Sequence, residues 1–355
     1  IMNSEGLYQD AVELLKAMIR IPSLSKEEAG TADLLAKFLT ERGVEVHRKK
    51  NNVWAFNKYY DPAKSTILLN SHHDTVKPNS AYTRDPFEPS IEGDRLYGLG
   101  SNDAGASGVS LIAAFLYYND RSDLKYNLCV AITAEEENSG HDGLECVIPE
   151  LGPLEFAVVG EPTLMQLAIA ERGLMVLDCT AHGRAGHAAR EEGDNAIYKA
   201  MKDIEWFRTF RFPKVSDLFG AVKMSVTIIS AGTQHNVVPA ECRFTVDVRV
   251  TDRYTNEEVL DIIRQHVACD VQPRSTRLRP SSISPDHPIV RAGIALGRTT
   301  YGSPTTSDQA LLDIPSLKLG VGDSARSHSA DEFVHLSEIR EGIDLYIKML
   351  AAVLE

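Results

Sequence analysis

Residues 66–74 read Thr66-Ile67-Leu68-Leu69-Asn70-Ser71-His72-His73-Asp74. The stretch Thr66–Leu69 is largely apolar, and it runs straight into two histidines and an acid. An unbroken apolar strand, without polar alternation, belongs inside a sheet covered on both faces. The same grammar recurs twice. Leu128–Thr133 (LCVAIT) leads into Glu135, Glu136 and Glu137, and Phe156–Val159 (FAVV) leads into Gly160 and Glu161. Helical patterns lie between these strands, notably over Gly108–Tyr118. Buried strands alternating with helices predict an α/β domain with a mostly parallel sheet. Such sheets bind ligands beyond the carboxyl ends of their strands, where these acids and histidines fall.

Working outward, Leu7, Ala11, Leu14, Leu15, Met18 and Ile19 recur at helical spacing. Ser25 followed by Glu28 reads as a capping box that opens a second helix through Leu34, Leu35, Phe38 and Leu39, with Gly43 as its stop. The texture changes near residue 171. Leu174–Ala181, Met224–Ser230, Arg243–Val250 and Ser275–Leu278 read as strands, and Asn195–Phe207 and Asn256–His266 as helices. In Arg243–Val250, Phe244, Val246, Val248 and Val250 alternate with Arg243, Thr245, Asp247 and Arg249, which marks a half-exposed antiparallel strand. The order β-α-β-β-α-β is ferredoxin-like. After about residue 281 the first texture resumes with Ile289–Leu296, Ser316–Leu319 and Leu336–Leu354. We therefore expect a catalytic domain in two parts, residues 1–170 and 282–355, with an α+β domain inserted at 171–281.

The chain has 355 residues and a formal net charge of −13, from 37 Lys plus Arg against 50 Asp plus Glu. That excess of acid argues against nucleic-acid binding, because no basic surplus exists to neutralise phosphates. No apolar run approaches the roughly 20 residues needed to cross a bilayer, and a membrane partner is not expected. Five scattered cysteines without a CxxC pair exclude a disulfide-dense scaffold and a thiolate metal site, and fit a reducing compartment. The opening residues, IMNSEGLYQD, carry no basic region or hydrophobic core. Together these features lead us to expect a cytoplasmic protein.

Five segments carry candidate chemistry: His72 with Asp74, Asp103 after a glycine-rich turn (YGLGSNDAG), the run Glu135-Glu136-Glu137, Glu161, and His328 in Ser327-His328-Ser329-Ala330-Asp331-Glu332. Alone, each reads first as ordinary structure: a polar strand end, an N-cap, an acidic loop, a surface histidine. Taken together they suit a pair of divalent ions sharing one bridging carboxylate, with one acid left free. Nitrogen and oxygen ligands without thiolate favour zinc, with cobalt or manganese behind it.

The segments SHHDTV, YGLGSNDAG, TAEEENSG, VVGEPT, GRAGHAAR, HNVVP and SHSADEFV, in this order along nearly the whole chain, resemble the co-catalytic zinc aminoacylase family. That family includes acetylornithine deacetylase, succinyl-diaminopimelate desuccinylase, aminoacylase and carboxypeptidase G. The resemblance implies two zinc ions per subunit. His72 and Glu161 would bind one, Glu136 and His328 the other, and Asp103 would bridge them, with Asp74 orienting His72. Glu135 would be the general base, taking a proton and passing it to the leaving amine. His187 would reach the other subunit's site and support the oxyanion, which makes the inserted domain a lid and the interface of a homodimer. Arg172, Asn236 and Arg249 match substrate-contact positions. The Asp103–Ala104 peptide falls where the family often has a cis bond, and Gly105 stands where it often has a lysine. The implied reaction is removal of a small acyl group from an N-acyl amino acid, first of all acetylornithine. Acyl-citrulline, acyl-lysine, succinylated substrates and dipeptides are the alternatives.

Overall fold

The computed structural model describes residues 4–355, which form two compact units. The first takes the chain up to Ile169, Ser282–Tyr301 and Ser307–Glu355; the second takes Ala170–Ser281 and Gly302–Thr306. The short Gly302–Thr306 piece lies in the second unit, although the sequence pattern assigns it to the first. Gly302 sits against the Phe219 ring, with no room for a side chain between them.

In the first unit the sheet is parallel at its centre. Thr66–His72 lies between Asn127–Thr133 and Leu154–Val159, parallel to both, and Ser316–Lys318 continues the parallel set beside Leu154–Val159. Asn52–Phe56 is antiparallel to Asn127–Thr133, and His47–Lys49 pairs antiparallel outside it. Every residue of Thr66–His72 and Asn127–Thr133 is buried, as unbroken apolar runs require. Alternate residues serve two cores. Ile67, Leu69, Val130 and Ile132 face a core shared with helices Ser4–Ile19, Ala106–Tyr118 and Leu336–Leu354. Leu68, Cys129 and Ala131 face a smaller one with Trp54, Leu144 and Val147. The register aligns the strand ends. His72 pairs with Thr133, and Asn70 with Val159, so two strands end at one level, the third stops two residues short, and all three release their polar residues at one edge.

The second unit is an antiparallel sheet in the order Lys223–Ala231, Glu241–Val250, Gly173–His182, Asp270–Pro273. Helices Ala196–Thr209 and Asn256–His266 cover one face over Phe244, Val246 and Val248. The second helix is opened by a Thr255/Glu258 capping box. The β-α-β-β-α-β order agrees with the sequence pattern, with one local correction. Asp270–Pro273, not Ser275–Leu278, forms the last strand; of that segment only Leu278 bridges, to Leu174. Ser25 and Glu28 form no capping box. The Ser25 hydroxyl donates to Asp74 at 2.7 Å, and Glu28 accepts the Lys26 N–H at 2.6 Å.

Candidate metal centre

His72 closes its strand with its ring fully buried. Its Nδ1 lies 3.0 Å from the Asp74 carbonyl oxygen and 3.3 Å from the Asp74 carboxylate. That contact turns Nε2 toward three acids: Asp103 Oδ1 at 3.3 Å, Glu161 Oε1 at 3.6 Å and Glu136 Oε2 at 3.7 Å. The other Asp103 oxygen, Oδ2, lies 3.5 Å from His328 Nε2, which also meets the Glu137 carboxylate at 3.0 Å. Asp103 thus stands between two histidines, one oxygen toward each. This is the geometry of a carboxylate able to bridge two cations about 3.5–4 Å apart.

The backbone that presents these groups is held by acids outside the cluster. Gly98 and Gly100, both at positive φ, form the turn before Asp103, and the Asp103–Ala104 peptide is cis. Buried Glu332 accepts the N–H groups of Gly100, Asn102 and Asp103 at 2.8–3.0 Å. The Asn102 side chain both donates to and accepts from the Asp323 backbone, anchoring the loop that carries His328. The Asp74 carboxylate accepts the N–H groups of Glu136 and Glu137, each at 3.1 Å. One acid therefore orients His72 and fixes the acidic turn.

That turn sets a register different from the expected one. Glu135 adopts φ +57°, and its side chain enters a separate cleft lined by Lys26, Glu28 and Lys50. Glu136 and Glu137 face the cluster instead. The residue beside His328 is Glu137, not Glu136, and Glu136 lies by His72 and Glu161. The resemblance implies Glu135 as the general base and Glu136 as the ligand beside His328; in the structure Glu137 stands beside His328, and Glu136 joins His72 and Glu161. The cause is local. The strand ends at Thr133, the Ala134 N–H is tied to Asn52, and the left-handed residue at 135 reverses the side-chain direction before the pinned pair.

The electrostatics call for cations. Burial would push the His72 imidazole down, but the Glu136 and Glu161 carboxylates outweigh it and hold the imidazole well above its ordinary value. Burial raises Glu136, Glu137 and Glu161. The Glu137 contact carries His328 up to about 9. Glu161 Oε1 is buried with no hydrogen-bond partner. A crowded set of buried carboxylates, one oxygen unsatisfied, fits divalent ions that accept oxygen and imidazole ligands. His72, Asp103 and Glu137, and again His72, Glu136 and Glu161, offer ligand atoms within 4.8 Å of one another.

The remaining candidates lie in the second unit. His187 is exposed, and its Nδ1 accepts the Ala189 N–H at 3.1 Å. Asn236 is exposed, and its carbonyl accepts the Ala188 N–H. Arg172 donates to the Phe219 carbonyl at 2.9 Å. The Arg249 guanidinium is held by both oxygens of Asp247. Sequence reasoning left Glu137 and Glu332 without roles. The run of three acids left its register open. An acid directly before Phe333-Val334 was the only signal for Glu332.

A family model described as peptidase family M20/M25/M40 matches residues 68–352. The chain belongs to this family. Its fold is similar to an aminopeptidase, PepT, from Bacillus cereus (19% identity, 98% of each chain covered, TM-score 0.76). It is also similar to an M20 metallo-carboxypeptidase from Sulfolobus solfataricus (17%, 97% of this chain and 99% of that one, 0.70). A third similar structure is a dinuclear metal-binding M20 peptidase from Bacillus subtilis (17%, 98% of each, 0.72). The chain is thus an M20 metallohydrolase, of the peptidase and amidohydrolase class. Among the described residues, no helix is long and apolar enough to cross a membrane.

Proposed function

We propose that this M20 hydrolase holds two divalent ions, zinc first and cobalt as a substitute, and removes a small acyl group from an N-acyl amino acid. Acetylornithine is the first substrate to test. The observation that carries the dinuclear reading is Asp103, with one oxygen toward His72 and the other toward His328. His72 and Glu161 would serve one ion, Glu137 and His328 the other. Divalent ions held there supply Lewis acidity and make a water easier to deprotonate.

The chain's own residues handle the proton and the orientation of the groups. Glu136, raised by burial and pinned through its N–H by Asp74, accepts the proton of the attacking water and delivers it to the leaving amine. Asp74 keeps the His72 ring in one orientation. Because His187 Nδ1 accepts the Ala189 N–H, its neutral ring carries the proton on Nε2, as an oxyanion donor requires. This supports the role in the partner subunit's site that the resemblance implies for His187. Asn236, Arg172 and Arg249 are proposed substrate contacts on the resemblance alone.

A homodimer through the inserted unit is supported by its open edge. Lys223–Ala231 ends the sheet with Ile228 and Ile229 more than half exposed, and Tyr198 and Met201 stand out from the neighbouring helix. Five unpaired cysteines support a reducing, cytoplasmic setting. The peptidase names of the similar structures favour a second reading, a dipeptidase or carboxypeptidase. Turnover of acetyl- and succinyl-amino acids beside dipeptides, with added zinc or cobalt, decides between them. Faster cleavage of dipeptides would reject the deacylase reading.

A further inference from the structure

We propose that Asp331 and Asn79 are positioning residues for the second metal ion. They fasten the loop that carries His328 to residues 79–84, and so set how tightly Glu137 and His328 hold their ion. The proposal rests on the dinuclear reading above. The two ion positions are built differently. His72 ends a central strand with its side chain buried, and Asp74 sets its ring. His328 sits on a loop with its side chain 54% exposed. It adopts φ +59°, and Asp331, three residues on, adopts φ +52°. Neither residue is glycine, so each left-handed conformation is strained and persists only where neighbouring contacts hold it.

Those contacts lie on both sides of His328. Before it, Asn102 bonds the Asp323 backbone in both directions, and the Arg326–Glu338 ion pair ties the loop to helix Leu336–Leu354. After it, the ties reach back some 248 residues in sequence. Asp331 Oδ1 accepts the N–H groups of Thr83 and Arg84 at 2.9 and 3.0 Å, and Oδ2 accepts the Thr83 hydroxyl at 2.6 Å. Bonds to a carboxylate are stronger than neutral ones, so this clasp is firm although it lies near the surface. Asn79 Nδ2 donates to the His328 carbonyl at 3.2 Å, while its Oδ1 accepts the Ala81 N–H at 3.0 Å, which fixes the direction of the amide. The clasp thus acts on the peptide of His328 itself, and none of these bonds touches His72, Asp103 or Glu161. An imidazole binds a cation well only when its direction is held, and partners that orient a ligand are worth about 10–100-fold in metal affinity.

The test is stepwise calorimetric titration of the full chain, stripped by chelator, with Co²⁺, read beside the visible absorption of each cobalt equivalent. His328→Ala identifies the equivalent that belongs to this position. In Asp331→Ala that equivalent should bind about 10–100-fold more weakly, with an altered absorption band. The other equivalent, and the melting temperature of the metal-free chain, should stay nearly unchanged. Asn79→Ala, which removes one bond from an exposed side chain, should weaken the same equivalent several-fold. Asp331→Asn keeps an oxygen for both N–H groups and should restore most of the affinity. Should Asp331→Ala fail to fold, Asn79→Ala decides alone. Unchanged binding at the His328 position in these variants, or an equal loss of both ions, would overturn the inference. A single equivalent in the unaltered chain would strike the dinuclear reading and the inference with it. Two equivalents, both indifferent to Asp331 and Asn79, would strike the inference alone.

Discussion

Replacing each of the three consecutive acids by glutamine separates their roles. Glutamine keeps volume and shape but cannot accept a proton. Glu136 lies 3.7 Å from His72 Nε2 and is pinned at its own N–H by Asp74. Glu136→Gln should therefore keep the fold and most bound metal while losing the proton acceptor. General-base catalysis contributes about 10²–10⁴-fold, and a loss of about 10³ corresponds to roughly 4 kcal/mol of barrier. Glu137 instead faces His328 at 3.0 Å and shares a ligand group with Asp103 and His72. Loss of a partner outside the ligand shell already weakens metal binding by about 10–100-fold, so Glu137→Gln should cost at least that and release one ion. Glu135 points into the other cleft, and Glu135→Gln should lose no more than about tenfold in kcat, with metal retained. The assay pairs steady-state kinetics on an N-acetyl-amino acid with metal content per subunit. If Glu135→Gln fell as far as Glu136→Gln with metal and melting temperature intact, the register of the turn assigned here would be wrong.

Three further outcomes are expected. Glu332→Gln turns one of the two oxygens that accept three N–H groups beneath Asp103 into an amide donor; zinc affinity, measured by competition with a chelator, should fall about 10–100-fold, and unchanged affinity would remove Glu332 from the metal-positioning framework. In metal-free protein, Glu136, Glu137, Glu161 and Asp308, the last raised by burial to about 7, hold protons when folded that the unfolded chain has released, and His72 is also raised. Stability should then fall by a few kcal/mol as pH climbs from about 5 to 8, and zinc should flatten or reverse the trend; a flat melting curve in chelator would contradict this. Ile228→Lys with Ile229→Lys places charge on the open edge strand, and light scattering should register a monomer, while an unchanged oligomer would move the interface elsewhere.

The sequence disclosed the sheet and the five segments because their signal is local. Ile67–Leu69 is apolar throughout, and Arg243–Val250 alternates, so burial follows from the pattern itself. What it concealed was direction. A run of three glutamates does not say which one leaves the strand in a left-handed conformation, and φ +57° at Glu135 decides that. Nor does Ser25 three residues before Glu28 reveal that its hydroxyl is taken by Asp74, 49 residues away. Caps are local competitions, and here a long-range partner won.

The acids divide into two kinds by what they accept. Asp103, Glu136, Glu137 and Glu161 turn oxygens toward the histidines. Asp74, Glu332 and Glu28 turn theirs toward backbone N–H groups beside those same acids. Carboxylates confined to a small buried volume repel one another, and a loop carrying them would relax outward unless its backbone were held. The turns carrying Asp103 and the Glu136–Glu137 pair are each held by an acid from a different part of the chain. Cation binding then meets groups already positioned, so little ordering cost falls on the metal. The acidic surplus of the composition is in part this double requirement, one set of carboxylates to face the ions and another to keep the first in place.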